Sequence, residues 1–349
     1  MRGTILRGRW LYILLGAVVL FLYGRLFMSG PSIKWLQPDQ PTVEETGKFR
    51  HLELDLDPVK LLRATQEKPT AALLLWVWTL CALGLGVGGV LVSINALRKA
   101  TWKRVFRDHA PLPSQWSFQE LGRLMLLLIL VAGLLPFVHL SLIGAGVVGL
   151  SDSHLWTVLG MAILNGMLML LVWGFASTKA LSWSSAFGFS WRQGRGAVRQ
   201  GLIGYTAVFP WVFGLLWLIA WLCQRFGIEP PVEPIHELLF LEHNPVVVGL
   251  TVALACVWGP IAEELFFRGV VFSALRQKTS RLLAMTMSGG LFALAHTNFI
   301  GFLPILLLGA FLADLYERTG SLWASIAVHM VHNTFLIGLA FILKELLAG

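Results

Sequence analysis

Charge is scarce in this chain: Asp, Glu, Lys and Arg make up 13% of its 349 residues, against 56% hydrophobic residues. That shortage excludes a solvated globule and points to an integral membrane protein. Cysteine is scarce too. The three present, Cys81, Cys223 and Cys256, lie in apolar runs and outside any C-x-x-C pair, so no disulfide framework, redox motif or cysteine metal site is expected. They read as small buried hydrophobes. Common hydrolase signatures are also missing. No H-E-x-x-H is present for a zincin helix, and no G-x-S-x-G or G-x-S-G for a serine nucleophile. Asp314 is the only aspartate in the last third, which leaves an aspartyl dyad without a second member.

What is present is a series of apolar runs. The first, from about Trp10 to Met28, follows Arg2, Arg7 and Arg9. It is longer than a signal-peptide core and has no small-x-small cleavage site directly after it, so an uncleaved first span is expected. Residues 29–70 form an extracytoplasmic polar region in which His51–Asp57 alternates with period two, a short-strand pattern. Spans two to five fall within residues 71–224, at about Ala71–Ile94, Leu121–Leu150, Leu155–Ala176 and Gly201–Cys223. Gly84, Gly86, Gly88 and Gly89 offer the first of these a close-packing face.

Lys and Arg collect in alternate loops. Arg98, Lys99, Lys103, Arg104 and Arg107 form one group, and Lys179, Arg192, Arg195 and Arg199 another. The intervening Glu229–Glu242 loop is acidic and proline-rich. The +8 net charge therefore serves orientation, with the N-terminus in the cytoplasm, and nucleic acid is not an expected partner. Further apolar runs follow at about Asn244–Leu275, Leu282–Phe299, Phe302–Tyr316 and Leu322–Leu343. The fold class is all-α, a polytopic membrane protein of eight or nine transmembrane helices. A re-entrant eighth segment would change both the count and the side of the C-terminus.

The run from Asn244 to Leu275 carries Glu263, Glu264 and Arg268. Ionisable groups at membrane depth cost a few kcal/mol each, roughly 2.5–3.5 on insertion scales. On a helix Glu264 and Arg268 stand at i and i+4 and can pair, whereas Glu263 lies about 100° further round and is left to face something else. The alternative is a structural ion pair with Glu263 as a spare member. Later runs bring Phe292 and His296, then His329 and Asn333, again at i and i+4. His332 approaches the same face as His329 and is a competing candidate. One carboxylate, two imidazoles and an amide resemble a hydrolytic centre, and one Glu with two His is equally a common zinc set.

Glu263-Glu264-x-x-x-Arg268, Phe292-x-x-x-His296 and His329-x-x-x-Asn333 resemble, in order, the three signature motifs of the CPBP family (CAAX proteases and bacteriocin-processing enzymes, including the Abi and lysostaphin-resistance-like proteins). The stretch from Tyr316 to Trp323 is similar to the family's connection into its last motif. The resemblance covers about residues 245–340 and implies a catalytic core over 245–343 with an intramembrane endopeptidase activity. By position it implies that Glu263 activates water, that His296 holds or polarises it, and that His329 and Asn333 stabilise the oxyanion. Glu264 and Arg268 become the supporting pair, and His332 falls outside the pattern. Zinc held by Glu263, His296 and His329 and a metal-independent, glutamate-activated water both remain open. The implied partners are a peptide or protein tail at the membrane and the lipid bilayer, in a bacterial inner membrane; oligomeric state is left open. The reading from another class is a non-enzymatic immunity or assembly factor, or an ion-coupled transporter.

Overall fold

A computed structural model describes residues 12–18, 58–97, 116–146, 153–179, 181–228, 238–239, 242–296 and 300–347. The period-two stretch His51–Asp57, the basic group Arg98–Arg107 and most of the acidic loop lie outside them. Among the described residues the chain is helical and has no strand. The helices are α1 (Pro58–Glu67), α2 (Pro69–Leu97), α3 (Phe118–Gly144), α4 (Ser153–Ser177), α5 (Trp183–Phe187) and α6 (Trp191–Phe226). Then come α7 (Pro245–Arg276), α8 (Arg281–Ala295), α9 (Phe302–Thr319) and α10 (Leu322–Leu347).

Six of these helices, α2, α3, α4, α6, α7 and α10, are long and apolar enough to cross a membrane. Only residues 12–18 of the expected first span are described. They are helical, and Tyr12 lies under the Arg123 guanidinium of α3. The expected seventh run shortens to the 15 residues of α8, about 22 Å at 1.5 Å per residue, against a hydrocarbon core of about 30 Å. The eighth run is an unbroken helix. Pro304 falls in the first turn of α9, where its missing N–H costs nothing.

Burial ranks the spans. One third of the apolar window of α7 is buried, against 6% for α2 and α3, so α7 is the central helix and the other two meet lipid. One core cluster gathers around α7, with Phe187, Phe266, Phe267, Phe272 and Phe292. A second lies between α6, α9 and α10, around Tyr205, Phe209, Leu312 and Val328. Two left-handed glycines join the parts: Gly188 (φ 68°) ends α5 and Gly320 (φ 64°) ends α9. A side chain on Gly188 would strike the Gly320 carbonyl, and Ser321 Oγ donates to the Gly188 carbonyl at 2.8 Å.

Two expectations need correction. Of the glycines in α2 only Gly89 makes a close approach, to the Thr206 carbonyl and Pro210 of α6, while Gly84, Gly86 and Gly88 have nothing near their Cβ positions. Cys223 and Cys256 are buried but Cys81 is exposed, because it shares with Leu74 and Val77 a face of α2 that no helix covers among the described residues. A second close crossing lies where Gly289 of α8 meets Leu306, Gly309 and Ala310 of α9. A Gly289→Val variant is expected to lose about 1–3 kcal/mol or more by overpacking, against less than about 0.5 kcal/mol for Gly84→Ala, in equilibrium unfolding from detergent micelles.

Candidate functional site

The middle of α7 is irregular. Its α-helical segment Gly259–Glu264 is flanked by two π-helical segments, Leu254–Trp258 and Leu265–Phe272. The first has a cause in the sequence. Gly259 N–H donates to the Leu254 carbonyl five residues back, and in that register the Ala255 carbonyl would be served by residue 260, a proline without an N–H. The orphan is taken by another helix: Asn333 Nδ2 of α10 donates to the Ala255 carbonyl at 2.8 Å. In the second π segment, Ser288 Oγ of α8 donates to the Phe267 carbonyl at 3.0 Å and Ser273 Oγ to the Arg268 carbonyl at 3.1 Å.

Between these segments the adjacent glutamates part company. Glu264 and Arg268 are fully buried and paired at 2.7 Å, the i,i+4 pairing expected from the sequence. Arg268 also donates to the Gly309 carbonyl of α9 at 3.1 Å, and its guanidinium lies 4.4 Å from the centre of the Phe292 ring. A third group shares the carboxylate. His329 Nδ1 of α10 lies 3.0 Å from the same Glu264 Oε1. Glu263 points elsewhere, with its side chain 29% exposed.

The two imidazoles converge on Glu263. Its Oε2 lies 3.7 Å from His329 Nε2 and 4.0 Å from His296 Nε2, and makes no hydrogen bond among the described residues. His296 is the C-cap of α8, and its Nδ1 lies 2.8 Å from the Phe292 carbonyl, which can only accept. Both Nδ1 atoms thus donate, and both Nε2 atoms are aimed at one carboxylate oxygen, as acceptors in a neutral ring or donors in an imidazolium. Phe292 touches both rings as well as Arg268, at centroid distances of 4.5 Å to His296 and 5.4 Å to His329.

Glu263, Glu264, Arg268, His296 and His329 are therefore together. Asn333 is tied to the backbone of α7, an arrangement that Gly259-Pro260 in mid-span could have signalled. His332 is drawn away: its Nδ1 lies 2.9 Å from the Tyr205 hydroxyl of α6. The chemistry of Glu263, His296 and His329 suits zinc, and their spacing is wider than zinc takes. Ligand atoms around a tetrahedral zinc with bonds of about 2.0–2.1 Å stand about 3.3 Å apart, and among the described residues no group of three His, Cys, Asp or Glu is set to hold a metal ion. The observed 3.7 and 4.0 Å fall between that spacing and the ~4.5 Å that separates two atoms hydrogen-bonded to one water at about 2.8 Å each.

Residues 245–335 match the family model described as type II CAAX prenyl endopeptidase Rce1-like. The chain is 35% identical to UPF0177 protein YxdF of Lactococcus lactis over 39% of its own length and 72% of the relative's. It belongs to the CPBP family. Membership rests on the part of the chain that holds the site. The putative membrane peptidase YdiL of Bacillus subtilis is 34% identical, over 32% of this chain and 45% of the relative. The membrane-embedded CAAX protease MroQ of Staphylococcus aureus is 29% identical, over 33% and 48%. The chain thus spans about half the length of these two relatives. No solved structure matches it.

Replacing Arg268 by Met should strand the Glu264 carboxylate in the core and cost about 3–5 kcal/mol. Asn333→Ala should cost about 1–3 kcal/mol by orphaning the Ala255 carbonyl. Equilibrium unfolding of the purified variants in detergent measures both, and wild-type stability in either would remove the corresponding contact from the account.

Proposed function

We propose that this CPBP-family chain is a membrane-embedded endopeptidase whose water is activated by Glu263. The observation that carries the reading is the convergence of the Nε2 atoms of two anchored imidazoles on a carboxylate oxygen that has no hydrogen-bond partner among the described residues. A water in that gap gives one hydrogen to Glu263 and the other to His296 Nε2, which turns an oxygen lone pair towards a scissile carbonyl. As the new C–O bond forms, Glu263 takes the water's proton. It returns that proton to the leaving nitrogen as the C–N bond breaks. His329, protonated at Nε2 and held through Nδ1 by Glu264, donates to the oxyanion, and the Asn333 N–H not engaged with Ala255 is the second donor in this reading. No step requires a metal.

The substrate class is a peptide or protein tail reaching membrane depth, and the name of the Staphylococcus aureus relative, a membrane-embedded CAAX protease, accords with it. For orientation, α3 begins, α4 ends, α6 begins and α7 ends on one face, marked by the Glu120–Lys179 and Arg276–Glu317 pairs and by Gln277 donating to the Trp116 carbonyl. Arg195, Arg199, Lys278, Arg281 and Arg318 lie on that face too. The surplus of cations makes it the cytoplasmic side of a bacterial inner membrane, with the N-terminus in the cytoplasm.

Glu263→Gln is expected to cut cleavage of a membrane-peptide substrate at least ~100-fold, the lower end for a general base. The same loss should leave the wild-type melting temperature in place, and exhaustive chelation of the wild type should leave its rate unchanged. Retained cleavage in Glu263→Gln would remove the proposed base, and loss on chelation restored by zinc would replace this water with a metal-bound one.

A further inference from the structure

Away from the glutamate–histidine cluster, a cavity of about 440 Å³ opens between the first turns of α6 and α10. Arg195, Val198, Arg199, Leu202 and Ile203 line it from α6 and Trp323 from α10. The α6 positions are i, i+3, i+4, i+7 and i+8, one stripe of a helix. The stripe is polarised along its length, with two exposed arginines at its outer end and apolar side chains, Leu202 and Ile203 also exposed, further in. Neither arginine forms an ion pair among the described residues. The apolar span of α6 starts at Gly194 and that of α10 at Leu322, which sets the arginines at the membrane surface and the rest of the stripe inside the hydrocarbon.

The far wall is fixed. The Phe189 ring meets the Trp323 ring edge-on at 5.0 Å. A side chain on Gly194 would come within 2.9 Å of that indole, so the glycine lets the tryptophan lie against α6. Two turns further in, a side chain on Gly201 would meet the Ala324 carbonyl at 2.9 Å, which locks the two helices at the depth of the groove.

We propose that this groove binds one anionic phospholipid. Its phosphodiester lies between the Arg195 and Arg199 guanidiniums, one helical turn apart, and an acyl chain runs along Val198, Leu202 and Ile203 against Trp323. Each half of the stripe selects the occupant. A free phosphate leaves the apolar half unused, and a zwitterionic lipid presents an ammonium to two arginines. Basic pockets between helices at a membrane face are the setting in which anionic headgroups are held.

The test uses the full-length chain in a mild detergent, with its melting temperature followed as phosphatidylglycerol, phosphatidylcholine or inorganic phosphate is added. Phosphatidylglycerol alone should raise the wild-type value in a saturable way. Arg195→Gln/Arg199→Gln should melt like wild type without lipid and need on the order of tenfold or more phosphatidylglycerol for the same rise. Ile203→Trp, which keeps both charges and fills the groove, should weaken the response as well. An equal rise with phosphatidylcholine or with inorganic phosphate overturns the proposal, as does an unchanged phosphatidylglycerol response in either variant.

Discussion

A carboxylate sealed inside a membrane protein governs this structure. Glu264 has no exposed surface and is held by Arg268 and His329 together. Desolvating such groups costs several kcal/mol each, and the cost is recovered only while every partner is in place. The partners come from separate elements. Arg268 continues to the Gly309 carbonyl of α9 and the Phe292 ring of α8, and His329 belongs to α10. One buried charge thus fixes the relative position of four helices. Because His329 is fixed through Nδ1, its Nε2 is fixed as well, and the group facing Glu263 is set by the group sealed beneath it.

The irregular backbone of α7 belongs to the same arrangement. A proline in mid-span frees a carbonyl that lipid cannot satisfy, and the remedy is a side chain from α10. Asn333 bonds α7 eight residues before Glu263, and His329 bonds it one residue after. The two residues of that i,i+4 pair therefore grip α7 on either side of the exposed glutamate. The π segments shift the side chains that follow them round the helix relative to a regular α-helix, and Glu263 stands on the short regular turn between them.

Much of this was legible in the residues. The separation of Glu263 from the Glu264–Arg268 pair follows from 100° per residue, and the shared face of Phe292 and His296 from four-residue spacing. Spans two to six were visible as apolar runs to within a few residues at most ends. Other features were not, and each for a physical reason. The length of α8 depends on where the backbone turns at His296, and neither proline nor glycine marks that end in the sequence. His332 approaches the face of His329 by helix spacing, and what holds it away is Tyr205, 127 residues distant from it in sequence. A glycine run cannot say which glycine meets a neighbour: Gly89 does so because Thr206 and Pro210 face it. Asn333 read as a site residue by its place beside His329, whereas its amide contact depends on an orphan carbonyl that spacing does not reveal.

The account's central claim is that two neighbouring glutamates have opposite duties, one holding the fold and one exposed to chemistry. Its most direct test is equilibrium unfolding of Glu263→Gln and Glu264→Gln side by side, each isosteric and each removing one charge. The structure predicts a loss of about 3–5 kcal/mol for Glu264→Gln, which leaves a buried guanidinium uncompensated, and less than about 1 kcal/mol for Glu263→Gln. Equal losses, or a larger one at Glu263, would contradict the division of roles between them.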